Sequence, residues 1–266
     1  MNSSAHLNSS SEALSELLVA LADDELILGH RDSEWTGHSP ILEEDIAFSN
    51  LAQDEIGHAL VWLSINESIG GKSPDWMGFE RKWNDFTCSH FVQYPKHDYA
   101  YTVVRQFLFD AAERIRLQSL KQSSFQPIKE AAKKILREEH YHLLHSQGLV
   151  ERLGGATEES HRRMQEAVDA AFPQSLGLFE PLVHEGDLVK GSGMKPSSEL
   201  QEEWLGYVVP ILESATLLLP TKKSNGKFIA VCAPEYGGRS KQHTPHLQSL
   251  VADMQSVYQI APESKW

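Results

Sequence analysis

The sequence predicts a mainly α fold, an up-down bundle of four long helices with appendages. Three observations predict it. Apolar residues recur at spacings of three and four through four long stretches, capping and breaking residues punctuate those stretches, and no segment sustains the period-two alternation of a half-buried strand.

The first 11 residues are polar and Ser-rich and read as a flexible lead-in. From Ser11 to about Arg31, Leu14, Leu18, Leu21 and Leu28 share one helical face. The break "WTGHSP" (35–40) offers Ser39 as N-cap and Pro40 as first helical residue, with Glu43, Glu44 and Asp45 in the opening turns to favour a helix start. That second helix should stop at Gly70–Gly71. Residues 72–96 read as a long irregular connection. Asp98 is placed to cap a third helix over about 99–122, and "SSFQP" (123–127) leads to a fourth over about 127–152, closed by Gly154–Gly155. Thr157 can cap a fifth helix reaching Ala171. Beyond Pro173 the pattern weakens: 199–218 looks helical, 219–243 looks like loop, and 244–260 looks like a last helix. The expected organisation is a lead-in of 1–11 and a single helical domain over 12–266, whose extension begins at about 172.

The totals bound the function. A chain of 266 residues can bury a sizeable core. At 41% hydrophobic and 23% charged, it has the composition of a soluble globular protein. A formal charge of −13 and a pI near 5.4 argue against nucleic acid and anionic membrane as main partners. Cys88 and Cys232 are too few and too far apart for a disulfide framework or a zinc site of the usual spacing. Neither a bilayer-spanning run nor a signal peptide is expected, and a cytoplasmic location is the default. With 13 histidines, a metal site is worth seeking.

Ionisable residues stand where Leu or Ile belongs. The first helix has the stripe Leu14, Leu18, Leu21, Glu25, Leu28, and the second Phe48, Leu51, Glu55, His58, Trp62. The fourth has Ile128, Ala132, Ile135, Glu139, His142, and the third, less cleanly, Val103, Phe107, Asp110, Arg114, Leu117. The levels match as well. Glu25 and Glu55 are 30 residues apart with their midpoint at Pro40, and Asp110 and Glu139 are 29 apart with their midpoint beside Phe125. Each acid therefore lies about 21 Å from its hairpin turn at 1.5 Å per residue.

Four carboxylates and two imidazoles gathered in a dry interior are very costly unless divalent cations neutralise them. One acid from each of two helices, with Glu-x-x-His from each of the other two, is the carboxylate di-metal arrangement. The spacing i, i+3 sets acid and imidazole on one face, and oxygen and nitrogen donors without thiolate suit iron or manganese. A single Glu-x-x-His is weak evidence, since most such pairs are surface or capping residues; the doubled motif with matched partners is what points to a site. On the third helix Asp110 is preferred to Glu113, whose face is more polar and whose separation of 26 residues from Glu139 matches the first hairpin less well. Asp23, Asp24, Glu43, Glu44 and Glu138 read as solvated charges or caps. His30, His38, His140 and His145 read as having no ligand role. Arg81, Lys82, Lys222, Lys223 and Lys227 could meet phosphates but read first as solvated charge.

Four blocks carry a resemblance: "ADDELILGHRDSEWTGHSPILEEDIAFSNLAQDEIGHA" (22–59), "VRQFLFDAAERIRL" (104–117), "EEHYHLLHSQGLVERLG" (138–154) and "HTPHLQSLVADMQSVYQIAPESKW" (243–266). In this order they resemble the C-subunit family of the multicomponent phenylacetyl-CoA epoxidases. The resemblance implies a ferritin-like fold and a part in aerobic phenylacetate breakdown, where a di-iron centre uses O2 to epoxidise a CoA-activated aromatic ring. It implies as partners a catalytic A subunit, a flavin and iron–sulfur reductase and the other subunits, with a CoA thioester as substrate. It also implies that the working di-iron site lies in the A subunit, while the C subunit is a structural partner with degenerate ligand positions. This sequence departs from that pattern, because Glu25, Glu55, His58, Asp110, Glu139 and His142 all remain able to bind two iron or manganese ions.

Overall fold

A computed structural model describes residues 2–262 and 264, with side chains from residue 11 onward. In chain order the helices are α1 (Asn2–Ser33), α2 (Leu42–Ser68), α3 (His90–Gln93), α4 (Tyr99–Leu120), α5 (Gln126–Ala156), α6 (Glu158–Ser175), α7 (Glu185–Ser192), α8 (Ser197–Ser214) and α9 (Pro245–Ile260). A π-helical turn at Trp76–Glu80 and short 3-10 turns lie between them. The class is all-α and ferritin-like, as expected, and among the described residues the only strands are β1 (Thr221–Ser224) and β2 (Lys227–Ala230). No helix of the described residues is long and apolar enough to cross a membrane.

The chain forms two compact units. One joins the described residues up to Pro95 to those from Gly237 onward; the other is Lys96–Tyr236. The stretch expected as one extension is thus shared out, 172–236 to the second unit and 237 onward to the first.

In the first unit α1 and α2 form a helical hairpin. The α1 backbone is helical from Asn2, so helix runs through the stretch expected as a lead-in. Leu17, Leu18, Leu21 and Leu28 of α1 and Phe48, Leu51, Ala59 and Trp62 of α2 are buried. The start of α2 differs from expectation. Ile41 rather than Ser39 is its N-cap, no side chain caps it, and Ser39 Oγ instead donates to the Trp35 carbonyl. Asp45 reaches back to accept from the Gly37 amide at 2.6 Å, so the acid read as a first-turn charge also closes the connecting loop. Gly29 decides how near the helices come: a Cβ there would lie 3.0 Å from the Ala52 carbonyl oxygen and 3.1 Å from Glu55 Cβ.

In the second unit α4 packs against α5, α6 and α8. Asp98 caps α4 by accepting from the Tyr101 amide at 3.0 Å, and Thr157 caps α6 in a reciprocal box with Ser160, as the sequence predicts. Within α4 only Gln118 is exposed, which explains its unclear stripe: a helix buried on nearly every side has no polar face to contrast with an apolar one. The segment expected as loop over 219–243 contains the β1–β2 hairpin, in register Thr221↔Ala230 to Ser224↔Lys227. Its turn is Asn225–Gly226, both with positive φ (50° and 81°), the Asn-Gly pair that suits a two-residue hairpin loop.

Candidate metal centre

Glu25 is the third of three consecutive acids on α1, Asp23–Asp24–Glu25, and all three are fully buried. The first two are not the solvated charges expected. Arg81 donates to Asp23 through both terminal nitrogens, and the Thr87 amide and hydroxyl add hydrogen bonds of 2.7 and 3.0 Å. Arg239 donates to Asp24 at 2.9 Å, joined by the Ser89 amide at 2.8 Å. Arg81, read from sequence as solvated, is therefore a buried partner whose guanidinium also lies 3.6 Å from the Phe86 ring centre. Gly238 lets the Arg239 segment in; a Cβ there would stand 2.1 Å from the Cys88 carbonyl oxygen. Between these pairs the Cys88 thiol is pushed well up, by burial first and by Asp23 and Asp24 next, against the opposing pull of Arg239 and Arg81. It is a protonated packing group, not a nucleophile.

On α2, Glu55 and His58 are one turn apart and both buried. The Nδ1 of His58 lies 3.8 Å from Glu25 Oε2 and 3.8 Å from Glu55 Oε2. That is too long for a hydrogen bond, and it lies inside the roughly 4.2 Å that separates two donors bound on opposite sides of one ion at about 2.1 Å each. One donor atom from each of Glu25, Glu55 and His58 lies within 4.8 Å of the others. The first unit thus brings its three expected ligands together.

In the second unit His142 lies near both Asp110 and Glu139, and the ties are of another kind. Asp110 on α4 accepts at both oxygens, from Gln106 Nε2 at 2.7 Å and from Ser146 Oγ at 2.6 Å. The His142 ring meets Glu139 Oε1 directly, Nδ1 to oxygen 3.1 Å, and one His142 nitrogen lies within 4.8 Å of an Asp110 oxygen. Of the two acids weighed on α4, Glu113 is buried but paired with Arg116, which also donates to the Leu178 carbonyl at 3.2 Å. Ser146 and Gln106 escaped the sequence reading. Helical spacing could have found them: Ser146 follows His142 by four residues on the same face, and Gln106 precedes Asp110 by four.

The remaining candidates disperse. His38 and His140 are exposed, and His30 is half-buried, its pKa lowered by desolvation against the pull of Glu34. Lys227 pairs with Glu202 at 2.6 Å, while Lys82, Lys222 and Lys223 are exposed. A groove of about 440 Å³ in the second unit, lined by Gln201, Glu202, Lys227, Cys232 and Tyr236 among others, contains none of the expected ligands.

Known proteins share this sequence pattern. A family model described as phenylacetic acid catabolic protein matches residues 1–266. The C subunit of the 1,2-phenylacetyl-CoA epoxidase of Escherichia coli (strain K12) is 30% identical over 257 residues, 95% of this chain and 99% of that protein. The A subunit of the same enzyme is 26% identical over 152 residues, 56% of this chain and 48% of that protein. With a buried acid and Glu-x-x-His in each unit and a family match along its whole length, the chain belongs to the phenylacetic acid catabolic protein family.

Proposed function

We propose that this chain is a subunit of a phenylacetyl-CoA epoxidase in aerobic phenylacetate breakdown, in the position of the C subunit. The observation that carries the proposal is likeness over 95% of this chain and 99% of the Escherichia coli C subunit. In this reading it works in the cytoplasm, pairs with an A subunit, and receives electrons from a reductase within an assembly that acts on a CoA thioester. Exposed apolar residues one turn apart support a life in a complex: Leu42 and Ile46 on α2, Tyr141 and Leu144 on α5.

We propose further that Glu25, Glu55, His58, Asp110, Glu139 and His142 are the ligand set of a carboxylate metal site. The donors fit iron or manganese, being carboxylate oxygens and imidazole nitrogens with no thiolate among them. When bound, an iron pair supplies the redox chemistry by which O2 delivers an oxygen atom to an aromatic ring. The chain's own part is to hold and orient. The acids offset the cation charge, the imidazoles complete the shell, and Phe48, Leu51 and Trp62, buried on the same face of α2, keep water from the first trio.

A second reading, a non-catalytic partner that stabilises the A subunit, draws on Asp110, whose two oxygens already accept hydrogen bonds. One experiment divides the readings. The chain is co-purified with an A subunit, then assayed with phenylacetyl-CoA, O2 and reductase, beside Glu55→Ala. Loss of epoxidation with assembly intact is the expected result, and unchanged turnover overturns the catalytic version. Failure to co-purify with any A subunit overturns the placement in the complex.

A further inference from the structure

We infer that His243 is a pH-sensitive latch: as neutral imidazole it fastens the C-terminal segment, from Gly237 onward, to residues 86–93 of the same unit, and protonation loosens that segment. The inference stands apart from the metal reading and uses none of the expected ligands.

The hydrogen bonds around this ring fix where its proton sits. A backbone amide can only donate, so the Thr244 amide, 2.9 Å from Gln93 Oε1, identifies that atom as the amide oxygen, and the Thr244 hydroxyl donates to it at 3.0 Å. The other end of the Gln93 side chain is then the donor Nε2. It gives one hydrogen to the Cys88 carbonyl at 3.0 Å and meets His243 Nδ1 at 3.1 Å. Nδ1 must accept there, so the ring proton is on Nε2, which donates to the Phe86 carbonyl at 3.0 Å. A proton added at Nδ1 would set donor against donor beside a fully buried glutamine. His90 behaves differently: the ring nitrogen that meets the Gln242 carbonyl is already a donor, so protonating that ring leaves its bond intact. Thr244, held by Gln93, is the residue at which α9 begins, so the loss is felt at the start of that helix.

The surroundings act in the same sense. Burial holds the His243 pKa below the ordinary imidazole range; the Phe86 carbonyl opposes this, His90 on α3 adds to it, Asp23 on α1 opposes it and Lys241 adds to it. The Trp83 ring lies 6.1 Å away, centre to centre, in an edge arrangement. A histidine with a depressed folded pKa contributes stability that is complete above the unfolded value of about 6.5 and is lost as the pH falls below it.

The test combines nuclear magnetic resonance of the histidine rings with hydrogen–deuterium exchange of the full-length chain between about pH 7.5 and 5.5, on either side of the free imidazole value. At the upper pH the His243 ring should be the Nε2–H tautomer. On acidification the α9 amides, corrected for the intrinsic pH dependence of exchange, should exchange about fivefold to tenfold faster, the worth of one buried hydrogen bond, while those of α5 hold their rates. His243→Gln, which cannot titrate, should flatten this response. Gln93→Glu, which turns the donor facing Nδ1 into an acceptor, should reverse its sign, and circular dichroism shows that each variant folds. An Nδ1–H tautomer at the upper pH overturns the inference, as does an α9 response equal in the wild type and a folded His243→Gln chain. Where a variant does not fold, the wild-type tautomer and the wild-type α9 rates decide.

Discussion

At 55–58 a histidine nitrogen stands 3.8 Å from two carboxylate oxygens, while at 139–142 it stands 3.1 Å from one, beside an aspartate already held by a glutamine and a serine. The two stretches have the same Glu-x-x-His spacing on long helices and are equally buried. Their supports differ in kind. The first trio is braced by charge: Asp23 and Asp24, next to Glu25, are neutralised by Arg81 and Arg239 from distant parts of the chain. The second is braced by neutral donors from its own and the neighbouring helix. A motif therefore fixes which side chains share a face, and their neighbours fix whether those side chains are poised apart or drawn together.

The charge bracing can be broken most severely. Arg239→Met leaves Asp24 buried without its guanidinium and should cost about 3–5 kcal/mol of stability, read by chemical denaturation. A loss below about 1 kcal/mol, the worth of an exposed pair, would show that the bracing contributes little. Next is the first trio itself. Glu55→Gln removes a ligand charge and should weaken Mn2+ uptake by about a hundredfold, whereas Glu113→Gln, at an acid paired with Arg116, should leave uptake within about tenfold. Equal losses, measured by equilibrium dialysis with Mn2+, would remove Glu55 from the ligand set. Asp110→Asn weakens its accepted hydrogen bonds and should cost about 1–3 kcal/mol in denaturation. The smallest effect is expected within the first motif. Gly57, between Glu55 and His58, is exposed, and a Cβ there would meet nothing within 4 Å. Gly57→Ala should stabilise α2 by about 0.5–1 kcal/mol, seen as a higher melting temperature with no change in metal uptake.

The helices and both Glu-x-x-His pairs were legible because each depends on residues three or four apart. Depth within the first hairpin was legible too, since a short turn pairs residues at equal distances from it; in the second, Asp110 is hydrogen-bonded to Ser146, seven residues beyond the Glu139 expected at its level. What escaped the sequence depends on partners far along the chain. Asp23 and Asp24 read as solvated because Arg81 lies 58 residues from the one and Arg239 215 from the other. The start of α2 was missed because Ser39 found a carbonyl four residues back in place of the helix amides ahead. The β hairpin was missed for want of alternation, although "SNGK" (224–227) carried its signal: a type I′ turn needs positive φ at both central residues, and Asn-Gly supplies it.

The tie between Asp24 and Arg239 spans nearly the whole chain and has a consequence for biosynthesis. The ribosome makes α1 first, but the cation that offsets one of its buried acids emerges 215 residues later. Until then a nascent α1 and α2 carry Asp24 without its counter-charge, and Glu25 sits beside that unbalanced acid. This end of α1 therefore gains its full set of partners only when a segment 215 residues downstream has been made and has folded back onto it.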